Sequence, residues 1–209
     1  GAGFFAFHTA TAETINYIIA RSDGFSTLMV LAAALLYVHP KGWKKQLALI
    51  PFIIGCLAKP TTLMLAPILL AYDLIIRHPS LLIKNEKAKI APKILGALKG
   101  TLSFFAVGVG MYYFTRSMFS DTWKPSDVSA LEYLNTQPYV FWIYIKTFFY
   151  PTNLTADTDL GLIKQFFAPQ VLQCLLVILI SVGFAFRCAM YRKTLPIAFG
   201  IFWFYVALI

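Results

Sequence analysis

Apolar runs separated by short polar connections set the layout of the chain, and charge collects at the connections. The runs 24–38, 46–58, 61–76, 100–114, 169–186 and 196–209 each predict a helix. A helix needs about 20 residues to cross a bilayer, so the span ending at residue 38 is expected to extend N-terminal of Gly24. The run 46–58 is shorter, about 20 Å at helical rise, and meets Lys59-Pro60. Pro60 biases Lys59 away from the α region and predicts a break or kink there. The chain then returns through 61–76, with Asp73 near the end of the run.

The connections carry their own signals. Residues 1–7 read as the last turns of a membrane helix. Residues 8–23 read as a polar connection with a short helix over 15–20. A Pro-Gly turn, HPKGWKK, fills 39–45 with Lys41, Lys44, Lys45 and the interfacial Trp43. Residues 77–99 form a basic loop, part of which is predicted to lie as an amphipathic helix on anionic lipid. A polar loop over 116–134 holds Asp121, Asp127 and Glu132. The aromatic stretch 139–150, at about 12 residues, is too short to cross and predicts an interfacial helix ended by Pro151. A basic turn occupies 187–194.

Composition places this pattern in a membrane. The chain is 59% hydrophobic and 13% charged, against roughly 45–50% and about 25% in soluble domains. The expected fold is all-α: a polytopic transmembrane helical bundle of about six membrane segments plus interfacial helices. It forms one domain over 1–209, cut from a longer protein at both ends. The start, GAGFFAFH, lacks the basic region of a signal peptide. The net charge of +9 is not a nucleic-acid footprint, because the cations sit in short loops between apolar spans. With 39–45 on the cytoplasmic side, alternation puts 77–99 and 187–194 there too. Those loops hold twelve of the 18 basic residues, and the opposite side holds seven of the nine acids. This asymmetry fits the positive-inside rule and supports a non-crossing 139–150. Cys56, Cys174 and Cys188 have neither metal nor disulfide spacing and read as small buried hydrophobes.

The same orientation gathers His8, Glu13, Arg21, Asp23, Lys59, Lys146, Asp157 and Asp159 on the non-cytoplasmic side. Ionisable groups beside apolar spans are costly unless they face a cavity, a partner or a ligand. Arg21 and Asp23 either form an exposed surface ion pair, or Arg21 donates to a phosphate or carboxylate, which its planar fork matches. Lys59 either snorkels to headgroups or aims its ammonium at a lipid-linked phosphate from an interrupted span. Glu13 is a helix N-terminal acid or a site acid. Asp157 and Asp159 belong to a solvated loop or to an acceptor-side site. His8 stands alone, so no metal site is expected. Asn153-Leu154-Thr155 matches a glycosylation sequon.

Four stretches taken in order resemble one family. HTATAETINYIIARSDGFSTLMVLAAALLYV is similar to its His-bearing loop, Glu, Arg-Asp pair and following span. LAKPTTLMLAPILLAYDLI resembles its Lys-Pro helix break and returning helix. YIKTFFYPTNLTADTDLG resembles its interfacial segment, Pro-x-x-Leu turn and Asp-bearing loop. The span and basic turn between them keep the order. The family is the GT-C-type membrane glycosyltransferases related to protein O-mannosyltransferases, of the kind carrying C-terminal tetratricopeptide repeats. Thr9 stands where the family often has Pro.

The resemblance implies transfer of a sugar from a polyprenyl-phosphate carrier to an acceptor, often a protein hydroxyl, on the outer or lumenal face. The carrier is the donor substrate and no cofactor is implied. The catalytic acid is expected in an outer loop N-terminal to this sequence. Here Arg21, Lys59, His8, Glu13 and Asp23 would form the donor-phosphate side, and Asp157 and Asp159 the acceptor side. Cations stabilise a departing phosphate, more so in a dehydrated site. The partners implied are membrane lipid, the lipid-linked sugar and a protein acceptor, in the plasma or inner membrane of a bacterium or the endoplasmic reticulum of a eukaryote. Two alternatives stay open: a non-catalytic accessory subunit of a membrane complex, and a transporter built on broken helices.

Overall fold

The structure is a computed structural model and describes residues 3, 21–40, 42–83, 90–118, 129–152, 161, 163, 165 and 168–208. Among these residues there is no strand; the regular elements are helices. The α-helices are α1 (Arg21–Val38), α2 (Gly42–Leu47), α3 (Leu49–Ala58), α4 (Leu65–Tyr72), α5 (Ile90–Met118), α6 (Ala130–Phe149), α7 (Pro169–Ala189) and α8 (Leu195–Ala207). Short 3-10 helices cover Pro60–Met64, Pro79–Leu81 and Arg192–Thr194, and a π-helix covers Asp73–Arg77.

Among the described residues four helical stretches are long and apolar enough to cross a membrane: Arg21–Val38, Pro60–Arg77, Ala91–Met118 and Pro169–Ala189. The helix α3, at 10 residues, is too short to cross alone. The surface agrees with a lipid setting. Along α1, Ser26, Ala33 and Tyr37 are buried, while Leu28, Leu31 and Leu35 on the other face are exposed. Both faces of α1 are thus largely apolar, as in a helix that packs on one side and meets lipid on the other. On α5, Leu98, Leu102, Val109 and Tyr113 are likewise exposed.

The chain divides into two compact units, Ser22–Ser120 with Val182–Ile209, and Gly1–Arg21 with Asp121–Ser181. The core of the first unit joins α1, α3, α4 and α5. Ala33, Tyr37, Phe52, Cys56, Leu65, Leu69 and Phe104 pack there. The Phe104 ring sits 5.4 Å from both Tyr37 and Phe52. Near the C-terminus of this unit α8 packs on α4, with Phe199 against Tyr72 at 5.8 Å. In the second unit, Asn135 Nδ2 on α6 donates to the carbonyls of Ile163 and Gln165, and the Ile163 amide donates to the buried Thr136 hydroxyl.

Several expected boundaries move. Residues 139–150 are not a separate short helix. Residues 139–149 are the C-terminal part of the 20-residue α6, which runs through Pro138 and is followed by Tyr150 as its C-cap. The argument from shortness therefore fails, although α6 is not among the four helices apolar enough to cross. The loop expected over 116–134 loses both ends to helix, since α5 runs to Met118 and α6 starts at Ala130. The basic loop 77–99 contributes Arg77 to the π-helix and its last residues to α5. Lysine is a good helix former, so Lys93 and Lys99 do not oppose an early start. The turn expected over 39–45 closes into α2.

Candidate functional site

The Lys59-Pro60 break forms as the local sterics require. Lys59 has φ −154° and ψ 127°, an extended conformation suited to the residue before a proline, and its amide donates to the Gly55 carbonyl at 2.9 Å. Pro60 then opens the 3-10 helix, where a missing N–H costs nothing. Gly55 lets this turn close on its neighbours. A Cβ there would lie 2.8 Å from Thr62 Cγ2 and 3.1 Å from Met29 Cβ. The break is thereby held against α1.

That packing brings Lys59 to Asp23. The Lys59 ammonium forms an ion pair with Asp23 Oδ1 across 36 positions of sequence. Asp23 lies in the first turn of α1, where a carboxylate also faces the positive end of the helix dipole. Its carbonyl accepts from the Ser26 and Thr27 hydroxyls. Both ion-pair side chains remain about 40% exposed, at 38% and 41%, so water and ligands can reach them. The expected Arg21–Asp23 pair is not formed. Arg21 is exposed at the start of α1 and makes no ion pair with a described residue. Two positions apart on a helix, the side chains of Arg21 and Asp23 point away from each other. His8, Glu13, Asp157, Asp159 and the Asn153 sequon lie outside the described residues.

An apolar groove of about 300 Å³ lies between α5 and the segment that follows the break. Leu63 and Pro67, just past the break, form one wall; Phe105, Gly108, Tyr112 and Tyr113 of α5 form the other. Arg116 donates to the Tyr112 hydroxyl at 3.1 Å, one turn beyond.

A second polar group was not read as a unit from sequence. Asp73 is 2% exposed at the start of the π-helix. Its Oδ2 accepts from the Tyr37 hydroxyl at 2.7 Å, its Oδ1 lies 2.7 Å from Arg77 Nη1, and Lys45 Nζ stands 4.0 Å away. The Arg77 contact is an ion pair without an aligned hydrogen bond at Oδ1. Arg77 also stacks on Tyr37 and Tyr72, each at 5.6 Å, and Lys45 sits 4.3 Å from the Tyr37 ring centre. Burial pushes the Lys45 ammonium below its usual range; the Asp73 charge opposes this and the Arg77 charge adds to it. The local signal for part of this group was Asp73 four residues before Arg77, a helical pair. Tyr37 and Lys45 join it only through tertiary packing.

Among the described residues no group of His, Cys, Asp and Glu could hold a metal ion. No protein-family model matches this sequence, and no curated protein or solved structure matches it either.

Proposed function

We propose that this chain is part of a multi-pass membrane glycosyltransferase of the GT-C type, taking its sugar from a polyprenyl-phosphate carrier. The observation that carries the reading is the Lys59–Asp23 pair at the interrupted helix. A reachable cation at a helix break beside apolar spans is the kind of group a lipid-linked phosphate requires. The Lys59 ammonium would hold the carrier phosphate. As the phosphate departs it gains negative charge, which the ammonium stabilises. The apolar groove between the break and α5 offers a course for the carrier's hydrocarbon chain. The sequence resemblance supplies the sugar and the hydroxyl acceptor in this reading, with the general base outside the chain.

In this reading the basic connections 39–45, 77–99 and 187–194 face the cytoplasm, and Lys59 faces the opposite side. The bundle then has about six membrane segments, with α3 and the Pro60–Arg77 helices forming a pair around the break.

A second reading rests on the same pair. Asp23 already satisfies Lys59, so the two can act as a latch holding α1 against the break in a non-catalytic subunit. Transfer by the full-length protein in vesicles loaded with a radiolabelled polyprenyl-phosphate sugar separates the two. Sugar appearing on an acceptor supports the enzyme. No transfer and no donor binding, with the protein folded, supports the subunit.

A further inference from the structure

The Asp73 group lies at the opposite end of α1 from Asp23. Three elements converge there: Tyr37 lies in the last turn of α1, Lys45 rides on α2, and Asp73 and Arg77 bracket the π-helix. A fourth, α5, closes in at Gly100, where a Cβ would lie 3.2 Å from Asp73 Oδ2 and 3.4 Å from Lys45 Nζ. π-Helical turns of this kind recur at functional sites.

Charge within the group does not balance. Arg77 and Tyr37 hold the two oxygens of Asp73 at 2.7 Å, while Lys45 stands off at 4.0 Å. Two cations share one carboxylate and leave a surplus of one positive charge. Both cations can be reached from outside, because the Lys45 and Arg77 side chains are 28% and 32% exposed. Burial with a neighbouring cation already disfavours the Lys45 charge, so an arriving anion relieves an existing cost.

The surroundings set the kind of anion. Trp43, 60% exposed on the same short helix as Lys45, marks the depth at which indole rings meet headgroups. Leu47 on that helix is also exposed and adds a second apolar side chain. A free anion would use only the charges, whereas a lipid would use both features. Basic pockets between membrane helices bind lipid headgroups in this way.

We propose that Lys45 and Arg77, held in place around Asp73, form a binding site for the phosphate of an anionic membrane lipid. The site is distinct from the Lys59–Asp23 region. It rests on the helices lying in a bilayer and not on sugar transfer, so either proposal can fail while the other stands.

The test is native mass spectrometry of the full-length protein in detergent with equal phosphatidylglycerol and phosphatidylcholine. Wild type is expected to retain phosphatidylglycerol over phosphatidylcholine by about fivefold or more. Lys45→Met should remove most of that preference and Lys45→Arg should keep it. Lys193→Gln, an exposed cation outside the group, should change nothing. Equal retention of the two lipids by wild type would overturn the site. So would a loss in Lys193→Gln as large as in Lys45→Met, which would mean diffuse attraction. Thermal unfolding of wild type with each lipid and with inorganic phosphate gives a second readout that needs no variant. Protection by phosphatidylglycerol alone supports the proposal, and equal protection by inorganic phosphate would overturn the lipid assignment.

Discussion

Lys59 at the helix break is bound to Asp23 in the first turn of α1, and Arg21, two residues from that carboxylate, is not. This arrangement decides how the charges at this end of the bundle can be used. Asp23 pairs with Lys59 and leaves Arg21 exposed. In the proposed reading a donor phosphate would compete with Asp23 for the ammonium. The exposure of the pair, near 40% on each side, limits its structural weight to about 0–1 kcal/mol. Asp23→Ala and Lys59→Ala should therefore each lower the unfolding free energy by less than about 1 kcal/mol, measured by denaturant unfolding in detergent. A loss of several kcal/mol in either variant would make the pair a structural latch.

Gly55 should tolerate no side chain. The Thr62 methyl and the Met29 Cβ occupy the space a Cβ would take, and both belong to packed elements. Gly55→Ala is expected to cost about 1–3 kcal/mol through overpacking. Its effect should exceed that of Gly110→Ala, a site where a Cβ meets nothing within 4 Å. Thermal unfolding of the two variants side by side checks this.

The Asp73 group should be far more sensitive to loss of its acid than to loss of its lysine. Asp73→Ala leaves Arg77 beside a buried vacancy and removes the acceptor for Tyr37, at an expected cost of about 3–5 kcal/mol. Lys45→Met removes a half-reachable cation from a loose contact and should be close to neutral in lipid-free detergent. The same unfolding experiment ranks the two.

Lys45 also predicts a pH dependence. Its folded-state value is lowered from the ordinary 10.5, with burial the main cause. Between the lowered value and 10.5 the unfolded chain holds more protons at this site than the folded one, so stability rises with pH across that window. Below the window both states are protonated and the penalty is constant. The stability difference between wild type and Lys45→Met should therefore shift in favour of wild type as pH rises through the window, in lipid-free detergent. A difference that stays flat to pH 10.5 would contradict the burial of Lys45.

Local chemistry made part of this architecture readable in sequence. The Lys59-Pro60 break follows from the sterics of one dipeptide, and the N-terminal extension of α1 follows from the length a span needs. The same reasoning misplaced the start of the helix expected over 139–150. It begins at Ala130 and passes through Pro138, and Asn135 and Thr136 bond to the segment at 163–165. Those tertiary bonds have no counterpart in periodicity. Lys59 was readable as a charge that needs a reason, but its partner was not, because Asp23 lies 36 positions away. The Asp73 group was missed for the same cause. Tyr37 and Asp73 are also 36 positions apart and meet only when α1 and the returning helix pack together.

The central claim is that Lys59 exists to meet a lipid-linked phosphate and that Asp23 is its resting partner. The most direct measurement is the transfer rate of the full-length protein carrying Lys59→Ala, Asp23→Ala, or the exchanged pair Lys59→Asp with Asp23→Lys. A charge-assisted bond to the departing phosphate is worth about 1.5–3 kcal/mol, so Lys59→Ala should lower transfer by about tenfold or more. Asp23→Ala frees the ammonium and should keep transfer within about threefold of wild type, since it removes only an exposed ion pair. The opposite pattern, in which both single variants lose transfer equally and the exchanged pair restores it, would show a latch and contradict the phosphate role.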